Sequence, residues 1–187
     1  MRKNVIALCT TLACGLALAA VGAKAWQGGQ RPSPPAHAEF TFDNGKTIKI
    51  NYSSPRVNKR KIYGDLVPYG KVWRAGANEA TLFVTDSDLV VGGKDVPAGA
   101  YSLDVLPNES EWTLIVNKKT KNDKGGTVWG IPYPGEQFDL TRTPMHLAKT
   151  DSSVEDLTYT FDKMSGAGCV LHLKWADEDA SVEIKQK

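Results

Sequence analysis

Apolar and polar residues alternate along most of the chain, with the period of two residues that is typical of β-strands. Residues 39–42 and 47–52 both alternate in this way, and the pair Asn44-Gly45 lies between them. An Asn-Gly pair between two alternating runs is a strong signal for a β-hairpin. Within each run the apolar side chains share one face. The pattern therefore predicts two antiparallel strands joined by a tight turn.

Further alternating runs follow, separated by short stretches of turn-forming residues. They cover residues 80–85, 88–91, 101–105, 111–116, 138–147, 154–164, 169–175 and 180–185. No stretch shows a helical period longer than two turns. Nine or ten strands at such short spacing predict an all-β fold. We expect a single antiparallel β-sandwich that is jelly-roll-like, without internal repeats or a second domain.

One long segment, at about residues 53–78, interrupts this pattern. It contains Pro55, Gly64, Pro68 and Gly70 and does not alternate cleanly. Irregular segments of this length are uncommon within a compact domain and are often functional. We therefore expect any site to be built from this segment.

Residues 1–25 have the organisation of a secretory signal peptide. Two basic residues form a charged start, residues 5–21 are uncharged and rich in Leu and Ala, and a small-x-small motif ends at Ala25. A retained membrane anchor is the alternative, but the apolar run is short for a span of about 20 residues. We predict cleavage near Ala25, no membrane span afterwards, and a periplasmic or extracellular location.

Residues 26–37 are predicted to be a flexible linker because Gly and Pro are frequent there, and residues 38–187 form the predicted domain. Cleavage leaves Cys169 as the only cysteine, so no intramolecular disulfide is expected.

Cleavage also removes three of the 23 Lys and Arg residues and none of the 21 Asp and Glu residues, which changes the net charge from +2 to about −1. This balance does not favour nucleic acid or an anionic membrane as a partner. We expect a monomer.

The most unusual string is residues 73–81, which runs Trp-Arg-Ala-Gly-Ala-Asn-Glu-Ala-Thr. It brings Arg74, Asn78 and Glu79 into one short stretch. A guanidinium pairs with carboxylates through two parallel hydrogen bonds, and Glu79 or Asp65 is the expected partner of Arg74. Three interpretations stay open: a buried brace, a recognition site for a polar ligand, and a catalytic site. Burial with complete hydrogen bonding would indicate a brace, whereas an accessible concave surface would indicate a binding site.

Two other stretches carry candidate binding chemistry. Residues 56–61 hold four basic side chains, which would suit an anion, although a solvated loop is the simpler interpretation. Trp129 and Tyr133 lie on a Pro- and Gly-rich loop, where aromatic rings either stack on a sugar or close one end of the core. The expected partner is thus a small polar ligand or a glycan.

Signals for catalysis and metal binding are weak. The sequence has no Gly-x-Ser-x-Gly motif, and Cys169 lies in a predicted strand, where a buried apolar role fits best. Carboxylates such as Asp65 and Glu79 would suit glycoside hydrolysis if they lay close together. The three histidines lack metal-ligand spacing. We expect no catalytic residue, no metal and no cofactor, and we favour a protein that is not an enzyme.

Several strings resemble a known bacterial family. They are Ser54-Pro55-Arg56-Val57, residues 64–74, residues 76–81, Pro97-Ala98-Gly99 with Tyr101-Ser102-Leu103, and Glu111-Trp112-Thr113 with Asn117. Over about residues 38–187 the chain resembles the secreted proteins catalogued as domain of unknown function 2911. The resemblance implies an exported single domain, and it carries no reaction, ligand or catalytic residue to this chain.

The sequence thus predicts an exported β-sandwich protein with a non-enzymatic ligand-binding or envelope-associated role. One alternative is a carbohydrate-binding module that uses the loop aromatics Trp129 and Tyr133. Another is a hydrolase that uses carboxylates near Asp65 and Glu79.

Overall fold

The computed structural model describes residues 33–121, 125, 133–164 and 166–187. The predicted signal peptide, residues 26–32 of the predicted linker and Trp129 lie outside the described residues. The described elements are β1 Pro35–Thr41, β2 Thr47–Ser53, β3 Thr81–Thr85, β4 Leu89–Val91, β5 Lys94–Val96, β6 Gly99–Pro107, β7 Trp112–Asn117, a short 3₁₀ turn Glu136–Phe138, β8 Asp139–Lys163 and β9 Gly168–Gln186. The predicted all-β fold is confirmed.

All nine described strands belong to one open sheet in the order β1-β2-β3-β6-β7-β8-β9-β4-β5, and every neighbouring pair is antiparallel. The sheet bends over on itself, because strands far apart in this order touch. Phe40 of β1 lies 5.9 Å from Phe161 of β8 between ring centroids, and Tyr52 of β2 lies 4.9 Å from Tyr159 of β8. The predicted sandwich is therefore formed by two parts of one continuous sheet.

The first hairpin follows its sequence signal. The backbone N–H of Phe42 donates to the carbonyl oxygen of Lys46 over 2.8 Å, and Gly45 adopts a φ of 81° that the turn requires. β1 begins at Pro35, so residues 35–37, which the sequence assigned to the linker, belong to the sheet.

The last part of the chain forms two long strands where the sequence predicted four. β8 pairs with β7 up to Met145 and then with β9 from His146 onward. The register shifts between Lys149 and Thr158, and Ala176 in β9 has a positive φ of 53°. These irregularities interrupt the apolar alternation without ending the strand. The prediction of four separate strands is wrong for this reason.

The core lies between the two parts of the sheet. The largest side chains in it that are nearly inaccessible to water include Trp112, Trp175 and Phe83. Cys169 is also fully buried, as the sequence predicted, and burial raises the pKa of its thiol to about 12. This thiol is a small apolar core residue.

The irregular segment predicted by the sequence is confirmed, and it joins β2 to β3. Isolated bridges tie it to the sheet, pairing Arg56 with Asp156 and Trp73 with Val105. Ile62, which lies between these bridges, is buried in the core. The segment is therefore an integral wall of the fold. In the part of the chain that the structure describes, we find no helix with the length and apolar character needed to cross a membrane.

Candidate functional site

The irregular segment forms one wall of a surface cleft of about 380 Å³, which we call the arginine cleft. It is defined by Arg56, Arg60 and Arg74 together with Trp73 and Trp175. The first four of these residues come from the irregular segment, and Trp175 comes from β9. The fold thus unites the basic run at residues 56–61 with the string at residues 73–81.

Two stacked indoles form the floor of the arginine cleft. The rings of Trp73 and Trp175 lie 5.8 Å apart between centroids, with an angle of 20° between their planes. Their N–H groups are already used, since Trp73 donates to the carbonyl of Gly76 over 3.2 Å and Trp175 to that of Glu155 over 3.3 Å. Leu66 lies at the rim with 46% of its surface exposed. The cleft therefore offers apolar surface beside its guanidinium groups.

Backbone pairing with β6 determines where Arg74 lies. Trp73 donates to the Val105 carbonyl over 2.8 Å and accepts from the Val105 N–H over 2.7 Å. In this antiparallel bridge, Arg74 is directly opposite Asp104. Because successive side chains point to opposite faces of a strand, Trp73 packs against the core and Arg74 shares the outer face with Asp104. Ala75, with a φ of 49°, then turns the chain away from β6.

The three arginines of the cleft differ in how far their charge is neutralised. Arg56 pairs with Asp156 over 3.1 Å. Arg60 donates its Nε to the Val57 carbonyl over 3.1 Å and its Nη2 to the Arg56 carbonyl. Among the described residues, neither Arg60 nor Arg74 forms an ion pair with a carboxylate, and the buried Nε of Arg74 has no hydrogen-bond partner. Two guanidinium groups in one cleft are thus available to an anion.

Asp104 is a buried carboxyl group that the sequence analysis missed. It is only 4% exposed, and its Oδ2 has no hydrogen-bond partner. Burial raises its pKa to about 7; the charge of Asp139 acts in the same direction and the charge of Arg74 opposes it. The only sequence signal is a carboxylate between Leu103 and Val105 in a strand, which usually indicates a solvent-facing position.

Tyr133 belongs to a compact polar network at the start of β8. Its hydroxyl donates to Oδ2 of Asp139 over 2.6 Å and accepts from Nη2 of Arg142 over 2.9 Å. Arg142 Nε also donates to Asp139 over 2.7 Å, and Asn117 Nδ2 donates to Oδ1 of the same carboxylate over 2.8 Å. Burial and the bond to Asp139 raise the pKa of Tyr133 to about 12. The hydroxyl is therefore held within the fold, although the ring borders a recess of about 200 Å³ that also includes Arg74.

Tyr133→Phe is expected to lower the free energy of unfolding by about 1 kcal/mol, because the change leaves Asp139 and Arg142 with one partner fewer. Urea unfolding of the two proteins measures this loss. Tyr69→Phe is the matched control, since Tyr69 is 37% exposed, and it should change stability little. Equal stability of the Tyr133 variant and the unmodified protein would contradict a structural role for the network.

Asn78, Glu79 and Asp65 are not among the residues that line the arginine cleft. Asn78 donates its Nδ2 to the Ser33 carbonyl over 3.0 Å. Glu79 accepts from Ser53 Oγ over 2.9 Å and borders a separate groove of about 460 Å³ beside β1 and β2, whose walls are mainly apolar. Asp65 is exposed. Contrary to expectation, Arg74 forms no ion pair with Glu79 or Asp65 among the described residues. The string therefore divides between two surfaces, and Trp129 lies outside the described residues.

The histidines lie away from the arginine cleft. His172 is held between two carboxylates, with Nδ1 at 2.8 Å from Asp179 and Nε2 at 3.4 Å from Asp162. Across the described ranges, no group of three or more His, Cys, Asp or Glu side chains is placed to hold a metal ion. The described chemistry of the cleft is thus that of guanidinium groups and aromatic rings.

Comparison with known proteins identifies a family without assigning an activity. No curated protein and no solved structure matches this chain. One family model, described as "Protein of unknown function (DUF2911)", matches residues 33–184. The match covers both walls of the arginine cleft, from the irregular segment to β9, and it confirms the resemblance noted in the sequence. The chain therefore belongs to the family of proteins of unknown function DUF2911.

Proposed function

We propose that this protein is an exported, non-enzymatic binding protein that captures a small anionic ligand in the arginine cleft. One observation carries the proposal: Arg60 and Arg74 line the same cleft, and neither is paired with a carboxylate among the described residues. A ligand carboxylate or phosphate is the kind of group that fills such a site, because a guanidinium matches its geometry with parallel hydrogen bonds.

The unpartnered Nε of Arg74 supports this proposal on energetic grounds. A buried donor without an acceptor costs about 1–3 kcal/mol of stability, and more when the group is charged. The fold bears this cost at a position that opens onto a cleft. An oxygen atom of a bound anion would remove the cost, so part of the binding energy would come from satisfying a donor that the free protein leaves unsatisfied.

The floor of the cleft indicates the rest of the ligand. The partly exposed ring of Trp73, which stacks on the buried Trp175, and the exposed side chain of Leu66 provide apolar surface next to the two guanidinium groups. Such a surface binds a planar or apolar body through burial and dispersion. A small carboxylate or phosphate ester with an apolar part fits both features, and an acidic sugar or peptide end belongs to the same class.

The overall charge supports a local site over a general affinity for polyanions. After cleavage of the predicted signal peptide the net charge is about −1, so the positive charge of the cleft is a local feature. An isolated positive cleft concentrates small anions without attracting long polyanions to the whole surface. The proposed periplasmic or extracellular location rests on the predicted signal peptide and its predicted cleavage near Ala25.

The distribution of carboxylates supports a role without catalysis. Glycoside hydrolysis needs two carboxyl groups on either side of one bond, but Asp65 is exposed and Glu79 faces a different groove. Glu155 and Asp156, which lie beside the arginine cleft, are paired with Arg56. Among the described residues, those that line the cleft thus include no carboxyl group that could act there as a general acid or base.

Binding of benzoate, sulfate and inorganic phosphate to the purified exported protein, measured by isothermal titration calorimetry, tests the proposal. Arg60→Gln and Arg74→Gln should each weaken binding of the best anion by about 10- to 100-fold, the loss expected for one charged hydrogen bond. Arg56→Gln is the matched control: it removes the same charge from the same cleft, but that charge is already neutralised by Asp156. Its effect should stay within about fivefold, since an exposed ion pair contributes at most about 1 kcal/mol. Absence of anion binding, or an equal loss in all three variants, would overturn the proposal.

A further inference from the structure

Arg74 and Asp104 face each other at a gap in the sheet. β3 pairs with β6 only as far as Leu103, and the irregular segment takes over the edge of β6 at Val105. Asp104 lies between these two pairings, with Arg74 directly opposite. Ile115, the neighbour of Asp104 on β7, is fully buried, so the outer face of the sheet is covered here. Asp104 is therefore buried beside Arg74, which itself lines the arginine cleft.

This pair is incomplete in the described structure. The Nε of Arg74 and the Oδ2 of Asp104 are both buried, and neither has a hydrogen-bond partner. No ion pair joins the two side chains among the described residues. A buried donor and a buried acceptor of opposite charge are thus adjacent and both unsatisfied. Arg74 can turn to either of two acceptors, the carboxylate behind it or an anion in the cleft.

We infer that Asp104 is an internal counter-ion that competes with the ligand for Arg74, so that the arginine cleft captures anions more tightly when Asp104 is protonated. This inference rests on the proposed function and adds its regulation. When Asp104 is ionised, its negative charge holds Arg74 and repels an incoming anion. When Asp104 is neutral, the full charge of Arg74 is available to the cleft.

The charged groups around Asp104 place this switch near neutral pH. Arg74 faces it from the irregular segment, and Asp139 and Tyr159 face it from β8. Asp104 pairs with Ile115 of β7, and Ile115 pairs with Arg142 of β8, so Arg142 lies two strands away from Asp104. Asp139 is occupied by the network of Tyr133 and Arg142, and the pKa of Tyr159 lies well above its usual range because of burial. Burial raises the pKa of Asp104 to about 7. Among the described groups that face Arg74, Asp104 is therefore the one that changes charge near neutral pH.

Calorimetric titration with benzoate between about pH 6 and pH 8.5 tests the inference, because a carboxylate with an ordinary pKa stays ionised throughout this range. The affinity of the unmodified protein should fall by at least about fivefold across the range, the lower end of typical coupling between sites. Asp104→Asn should bind tightly at every pH. Asp156→Asn, which neutralises an exposed carboxylate beside Arg56, is the matched control and should keep the pH dependence.

Proton uptake supplies a second test that needs no variant. If anion binding displaces Asp104 from Arg74, the complex must take up a fraction of a proton at pH 7, because binding and protonation are linked reciprocally. The apparent enthalpy of binding should therefore change with the ionisation enthalpy of the buffer. A binding affinity that is constant with pH, or binding without proton uptake at pH 7, would overturn this inference and leave the proposed function intact. Absence of binding of benzoate, sulfate and inorganic phosphate at every pH would overturn both.

Discussion

Asp104→Asn is expected to raise the free energy of unfolding by about 3–4 kcal/mol at pH 8 and by less than about 1 kcal/mol at pH 4. The pKa of Asp104 rises from its usual 3.8 to about 7 in the folded protein because of burial. Between these two values the folded state holds a proton that the unfolded state has released. Stability is therefore lost as the pH rises through this window, and the amide of Asn avoids the loss.

Urea unfolding at pH 4, 6 and 8 measures this effect, which corresponds to a rise in melting temperature of about 10 °C at pH 8. Asp156→Asn serves as the control because Asp156 is exposed, and its pH profile should follow that of the unmodified protein. A loss of stability in Asp104→Asn at pH 8 would show that the ionised carboxylate is a partner that the fold requires. Asp104 and Arg74 would then form a structural brace.

Trp175→Ala is expected to cost about 3–5 kcal/mol of unfolding free energy, the usual range for removing a buried tryptophan. Trp175 is only 1% exposed, stacks on Trp73 and lies 6.3 Å from the ring of Tyr63. The variant leaves a cavity beneath the arginine cleft, and the irregular segment loses the β9 surface against which it packs. The loss corresponds to a fall in melting temperature of roughly 10 °C or more.

Thermal unfolding of Trp175→Ala and Leu66→Ala provides the comparison. Leu66 borders the same cleft but is 46% exposed, so its truncation should cost less than about 1 kcal/mol. A similar loss in both variants would mean that the floor of the cleft contributes no more to stability than its rim. The cleft would then lack the rigid floor on which the proposed binding mode depends.

Local patterns allowed a prediction of the strands but could not locate their ends in the last part of the chain. Alternation and the Asn44-Gly45 pair are local signals, and they correctly placed β2 and the hairpin, although β1 begins earlier than predicted, at Pro35. In β8 and β9 the register shifts after Lys149 and the backbone turns at Ala176, which interrupts the alternation without breaking the strand. A bulge and a turn leave similar patterns in a sequence, because both interrupt the period of two.

The candidate site was predictable only in part. The irregular segment was predicted to hold the site because its composition excludes a regular strand, and four of the five residues that define the arginine cleft come from it. The cleft itself depends on Trp175, more than a hundred residues after Arg60, and sequence spacing does not show such a contact. Asp104 was missed because a carboxylate in a strand normally faces water. Its burial results from long-range packing, because the irregular segment pairs with the neighbouring Val105 and the fully buried Ile115 of β7 lies beside it.

The most direct test of anion binding in the arginine cleft is to observe the side-chain Nε–H signals of the arginines by NMR while benzoate is added. We expect the signals of Arg60 and Arg74 to shift together with one binding constant. The signal of Arg142, which is held by Asp139 and Tyr133, should stay unchanged. If Arg60 and Arg74 do not respond, or if Arg142 responds instead, the arginine cleft is not the anion site.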